Sequence, residues 1–185
     1  MLNALPIFPC NEAKEPLTAH GFRDARRSSN WKGWPLVGFA TGGISGIDVL
    51  DIDPRGRDWY DQNFDALPTT RAHSTQRGLH LLFKHAPGLR CSTDKIADGI
   101  DVRSTGGYAI WWPAAGLPFE DFPLAEWPEW LLKEARGVRR PLRHWAHVRV
   151  PPCIGCMVTR SIRANASRHY SARSSTHSLA IATQC

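Results

Sequence analysis

Short apolar runs divided by glycine, proline and polar clusters fill the first 137 residues and predict mostly strands, with two helices. "ALPIFPC" reads as a first strand, and "KEPLTAHGFRDA" as a turn-rich connection that Gly21 keeps from being a continuous helix. "LVGFATG" and "GIDVLDID" are two apolar segments joined by the glycine-rich loop "TGGISG", so they are expected to pair as neighbouring strands. After Pro54, "RGRDWYDQNFDAL" fits an amphipathic helix with Trp59, Phe64 and Leu67 available for its buried face. "TTRAHST", "GLHLLFKH", "GIDVRS" and "GYAIWW" then supply four more strands. "PEWLLKEAR" closes the body as a helix, with Pro128 and Glu129 at its start and Lys133 and Arg136 near its end. These elements predict an α+β domain over residues 1–137, with a mixed, largely antiparallel central sheet and flanking helices.

Strand alternation gives that sheet two unlike faces. In "GIDVLDID", Leu50 and Ile52 enter a core while Asp51 and Asp53 share the opposite side; Asp48 points with Leu50 and reads as structural or loop-facing. In "GLHLLF", Leu79, Leu81 and Phe83 leave His80 on the other face, and in "GIDVRS" Ile100 and Val102 leave Asp101 and Arg103 there. One sheet surface thus collects Asp51, Asp53, Asp101 and His80. Neighbouring carboxylates repel unless cations, donors or water compensate. A divalent cation would do so; so would a solvated strand end, with Asp53 opening the turn at "DPRG". Arg103 either pairs with Asp101 or contacts an anionic ligand. The glycine turns "STGGY" and "TGGISG" either let backbone amides approach phosphate or serve as connectors, and Tyr108 either stacks on a base or joins Ile110 and Trp112 in the core.

Charge divides the chain. Residues 1–137 carry 15 Lys and Arg against all 17 Asp and Glu, whereas residues 138–185 carry eight Arg and no acid or lysine, so the net charge of +6 belongs to the second segment. That segment reads as a solvated basic tail able to hold phosphates through counterion release. A second reading is that it is out-of-frame or non-native sequence, which resequencing the gene would settle. His144, His147, Cys153 and Cys156 form a possible zinc set, but their spacing matches no common finger, so zinc is not expected. Five scattered cysteines suggest reduced thiols, no apolar run is long enough to span a membrane, and the N-terminus lacks a secretory signal pattern. Together these place the chain in the cytoplasm, without a membrane partner.

"PCNEAKEPLTAHGFRDA", "VGFATGGISGIDVLDID", "RGLHLLF", "GIDVRSTGGYAIWWP" and "PEWLL" follow one another in an order that resembles the N-terminal bifunctional primase/polymerase domain of plasmid, phage and prophage replication proteins, within the archaeo-eukaryotic primase superfamily. The resemblance spans roughly residues 4–136. It implies an RRM-like catalytic core in which Asp51, Asp53 and Asp101 are catalytic and bind Mg²⁺ or Mn²⁺ as a two-metal site. It implies that His80 contacts the phosphates of an incoming nucleotide, with Arg103 and, less directly, Lys84 as further triphosphate contacts. Lys14 falls in the family's Lys-x-Pro element and either binds nucleotide or stabilises a turn. Three features depart from the family pattern: Gly78 replaces the serine of the usual Ser-x-His motif, "RRSSNWKGWP" is shorter than the usual helix-bearing stretch, and no helicase domain follows.

The resulting expectation is a DNA primase and polymerase that uses a DNA template and primer with nucleoside triphosphates, aided by a replicative helicase in trans. Two rivals stand beside it: a truncated, inactive remnant that binds nucleic acid through the tail, and a metal-dependent nuclease, since three acids and a histidine also suit water activation.

Overall fold

Ten short strands and two helices make up the computed structural model, which describes residues 5–28 and 30–137. The chain runs through β1 (Pro6–Cys10), β2 (Arg26–Arg27), β3 (Leu36–Ala40), β4 (Ile47–Ile52), helix α1 (Arg57–Asn63), β5 (Ala72–Ser74), β6 (Leu79–Lys84), β7 (Ser92–Ala97), β8 (Ile100–Arg103), β9 (Tyr108–Ile110), β10 (Phe119–Glu120) and helix α2 (Glu129–Arg136). The expected tail at 138–185, with its candidate zinc set, lies outside the described residues. No described helix is long and apolar enough to cross a membrane, and Cys10 and Cys91 are both free thiols.

The strands form two sheets rather than one central sheet. The first has the order β2-β1-β3-β9 and the second β10-β5-β6-β4-β8-β7, with every ladder between these strands antiparallel. This corrects the expectation that "LVGFATG" and "GIDVLDID" pair as neighbours. β3 is hydrogen-bonded between β1 and β9, and β4 between β6 and β8, so neither has a free edge for the other. The loop between them carries the chain from one sheet to the next, turning at Gly42 in the left-handed region (φ 84°). Apolar periodicity is satisfied equally by pairing edge to edge and by stacking face to face.

The result is three layers. Leu50, Ile52, Ala72, Leu81, Phe83, Ile100 and Val102 form one face of the second sheet and pack on Tyr60 of α1 and Leu131 and Ala135 of α2. Trp59, Phe64 and Leu67 are half-buried against this core, while Tyr60 is the deeply buried residue of α1. Ile47, Val49 and Leu82, on the other face, pack against Ile7, Val37, Phe39, Ala109 and Trp111 of the first sheet. The outer face of the first sheet carries a third cluster of Phe8, Cys10, Leu36, Ile110 and Trp112. Helix α2 begins after Pro128 and stops at Gly137, whose left-handed conformation (φ 83°) lets its N–H return to the helix's last carbonyls.

Asp48 pins the layers together. It is fully buried and accepts hydrogen bonds from Ser104 Oγ (2.6 Å), the Ala86 N–H (2.8 Å) and Trp127 Nε1 (3.1 Å), with His85 Nδ1 at 2.9 Å. Its donors come from three separate chain segments, which makes it the structural acid that its position beside Leu50 predicted.

Candidate active site

The second face of the second sheet is apolar at one end and polar at the other. Along β4, Ile47 and Val49 are covered by the first sheet, and two residues further on Asp51 emerges from beneath it. Strand register then assembles a row across four strands: His73 opposes His80, His80 opposes Asp51, and Asp51 opposes Asp101. The central β4 therefore carries the carboxylate that meets both neighbours.

Contacts follow the register. His80 Nε2 lies 3.2 Å from Asp51 Oδ1. Arg103 Nη2 donates to Asp101 Oδ2 at 2.7 Å and lies 3.8 Å from Asp51 Oδ2, so one guanidinium serves both acids. The Asp94 N–H donates to Asp101 Oδ1 (3.0 Å), and the Asp53 N–H is held by the Gly99 carbonyl (2.9 Å). Asp53 continues the extended backbone beyond β4 (φ −74°, ψ 167°) at the start of the following 3-10 turn.

The two central acids are tuned in opposite directions. Burial tends to raise the Asp51 carboxyl, but the charge and hydrogen bond of His80, with Arg103 and Lys14, more than offset it and hold the group below the usual carboxylate range. Burial pushes the Asp101 carboxyl up, and the nearby Asp51 and Asp94 charges add to that against the Asp94 N–H and Arg103. His73 was not singled out from the sequence. It is 1 % exposed, its ring lies 4.8 Å from that of His80, and burial followed by the His80 charge keeps it well below the usual imidazole range. Only the register of its three-residue strand places it in this row.

A cleft of about 390 Å³ opens beside the row. Its lining draws Asp51, His80 and Arg103 from the second sheet, Tyr108 from the first, and Lys14, Phe22, Cys91, Gly106, Gly107 and Trp112 from the segments around them. Lys14 stands at a left-handed residue (φ 69°) with its ammonium 5.4 Å from the Trp112 ring centre, and Tyr108 donates its hydroxyl hydrogen to the Lys14 carbonyl (3.0 Å). Tyr108 thus both lines the cleft and holds the Lys14 turn, while Ile110 and Trp112 are buried. The "STGGY" glycines reach the cleft, but those of "TGGISG" do not line it. Lys84 lies at the far end of β6, four residues or about 13 Å from His80, where it pairs with Glu126 (2.9 Å).

Gly78, at the position of the usual serine, meets the end of β4. A Cβ there would run into the Ile52 carbonyl oxygen, so the backbone has closed over the space a side chain would use. The turn is closed instead by Thr75 Oγ1, which accepts the Gly78 N–H (2.8 Å).

The acids suit a hard cation in their all-oxygen donor set. Among the described residues, no group of three or more His, Cys, Asp or Glu converges tightly enough to form a ready-made metal cage. Two carboxylates face each other, and Arg103 stands on both.

The model of the N-terminal domain of bifunctional DNA primase/polymerases matches residues 2–130. The chain belongs to that family. The match runs through every strand of both sheets and the whole polar row, ending inside α2. No curated protein and no solved structure matches the chain significantly. Bifunctional primase/polymerases are nucleotidyltransferases of DNA replication, acting on nucleic acid and nucleotide substrates and generally using divalent metals. The fold agrees with this at the level of an α+β domain built on antiparallel sheets.

Proposed function

We propose that this chain is a metal-dependent, template-directed DNA primase and polymerase of plasmid, phage or prophage replication, with the polar row as its catalytic centre, an RRM-like core and a helicase acting in trans. The observation that carries the proposal is the placement of Asp51 between His80 and Asp101, at the edge of a cleft that also holds Lys14 and Arg103. Mg²⁺ or Mn²⁺ held by Asp51, Asp53 and Asp101 supplies the positive charge that steadies an attacking 3′-hydroxyl and a leaving pyrophosphate.

The protein's own groups divide the remaining work. Lys14 and Arg103 both present cations to the cleft, matched to the charge of a triphosphate. His80, whose Nε2 is held by Asp51 and whose Nδ1 is buried without a hydrogen-bond partner among the described residues, is assigned the contact with the nucleotide's phosphates from its place in the row and in the lining of the cleft. Arg103 balances Asp51 and Asp101 in the structure as it stands, and with a cation held by those acids its guanidinium would be free to meet the phosphates. Phe22 and Tyr108, both half-buried, give the cleft an apolar surface for the nucleoside.

The test is incorporation of labelled nucleotide on a primed single-stranded template with Mn²⁺, comparing the chain with Asp51→Ala. Templated extension that falls more than ~10²-fold in the variant is the expected result. Equal extension by both proteins would remove Asp51 from the centre. Shortening of the labelled DNA without incorporation would replace the polymerase with a nuclease.

A further inference from the structure

The segment "RRSSNWKGWP" that departs from the family pattern builds a second cleft. Trp31, Lys32, Trp34, Ala114 and Ala115 are among the residues that line it, around about 280 Å³. Both tryptophans are half-buried against the core between the sheets, which fixes them while leaving part of each ring accessible. Lys32 is exposed, as are Arg26 and Arg27 on β2, the outermost strand of the first sheet. Residues 26–37 contain these three cations and no acid. None of the three makes a salt bridge among the described residues, whereas Arg55, Arg71, Lys84 and Lys133 each do.

This cleft adjoins the catalytic one. The 3-10 turn Trp112–Ala115 is shared between them: Trp112 lines the catalytic cleft, and Ala114 and Ala115 line the second.

We propose that the Trp31–Trp34 cleft is a docking surface for single-stranded nucleic acid, the template strand next to the catalytic centre, with the tryptophans stacking on bases and Lys32, Arg26 and Arg27 meeting phosphates. Fixed aromatic rings accept any base by its flat face, and exposed cations release counterions when they neutralise phosphates: Lys32 within the cleft, and Arg26 and Arg27 further along a bound strand, since β2 pairs with β1 at Pro6 and Ile7, away from the Leu36 end of β3. This combination favours a single strand over a duplex, whose bases are already stacked. The identification of the strand as template rests on the polymerase reading; the surface itself does not.

The test measures binding of a labelled single-stranded oligonucleotide to the full chain by fluorescence anisotropy across a salt series, without metal or nucleotide. The triple variant Arg26→Glu, Arg27→Glu, Lys32→Glu changes exposed side chains only, so its melting temperature checks that the fold is kept. Expected is at least ~10-fold weaker binding and a salt slope lower by about 2, from roughly 0.7 for each phosphate that is no longer neutralised. Trp34→Ala is expected to weaken single-strand binding by about 5–100-fold with little change for duplex. Photocrosslinking of a bromodeoxyuridine-containing strand should mark the peptide holding residues 30–37. Unchanged affinity and slope in the triple variant, equal losses for duplex and single strand, or crosslinks confined to residues 138–185 would each overturn the assignment. Binding as stated with no nucleotide incorporation would defeat the polymerase reading alone. Normal extension with wild-type template affinity in the triple variant would defeat the docking surface alone.

Discussion

Asp51 and Asp101 occupy one row yet affect stability with opposite signs. The folded state holds Asp51 below its unfolded range, so its ionised form stabilises the protein above about pH 4, and that contribution is lost as pH falls through the depressed folded value. Asp101 is raised, so its ionised form costs stability, and the cost disappears as pH falls and the carboxyl takes up its proton. In metal-free protein at neutral pH, Asp101→Asn is therefore expected to melt above the wild type and Asp51→Ala below it. The Asp101→Asn advantage should shrink as pH approaches 4 in calorimetric scans. A lower melting temperature for Asp101→Asn at neutral pH would contradict this. Asp48 is the contrasting acid: Asp48→Ala takes the acceptor from the Ala86 N–H and Trp127 Nε1 and leaves Ser104 Oγ only the Leu89 carbonyl, and a loss of about 3–5 kcal/mol in denaturant unfolding is expected.

At the scale of the element, β4, β6 and β8 show how far the sequence could be read. Their alternation sorted Asp51, His80, Asp101 and Arg103 onto one face because side chains of a strand must alternate, whatever the strand's neighbours are. Alternation carries no information about which strands share an edge, so the division into two sheets and the separation of β3 from β4 were not legible. "STDKIA" of β7 was overlooked for a different reason: it is an edge strand, mostly polar and exposed, and lacks the apolar signal that identifies buried strands. His73 was missed because three residues are too few to display a period. Gly78 shows what spacing alone hides. Read as a motif, it is a serine lost; in the sheet, it is the point where β6 closes on the Ile52 carbonyl. Gly78→Ser is therefore expected to lower stability by about 1–3 kcal/mol and to reduce primer extension rather than enhance it, measured by denaturant unfolding and by incorporation.

For the whole molecule, the described layers are complete by Gly137, where the last helix is capped. A protein ended there is expected to melt at the same temperature as the full chain, while its binding to DNA loses the salt dependence contributed by eight arginines. Calorimetry and a salt titration check the two halves of that statement separately. The polar row lies beyond the side chains clamped between the two sheets, and the same strands carry both. Val37, Phe39, Val49 and Leu82 are among the side chains packed between those sheets, out of reach of anything in the cleft. Smaller or larger residues there are expected to change how far apart the sheets stand, and with it what the cleft admits, without touching a nucleotide.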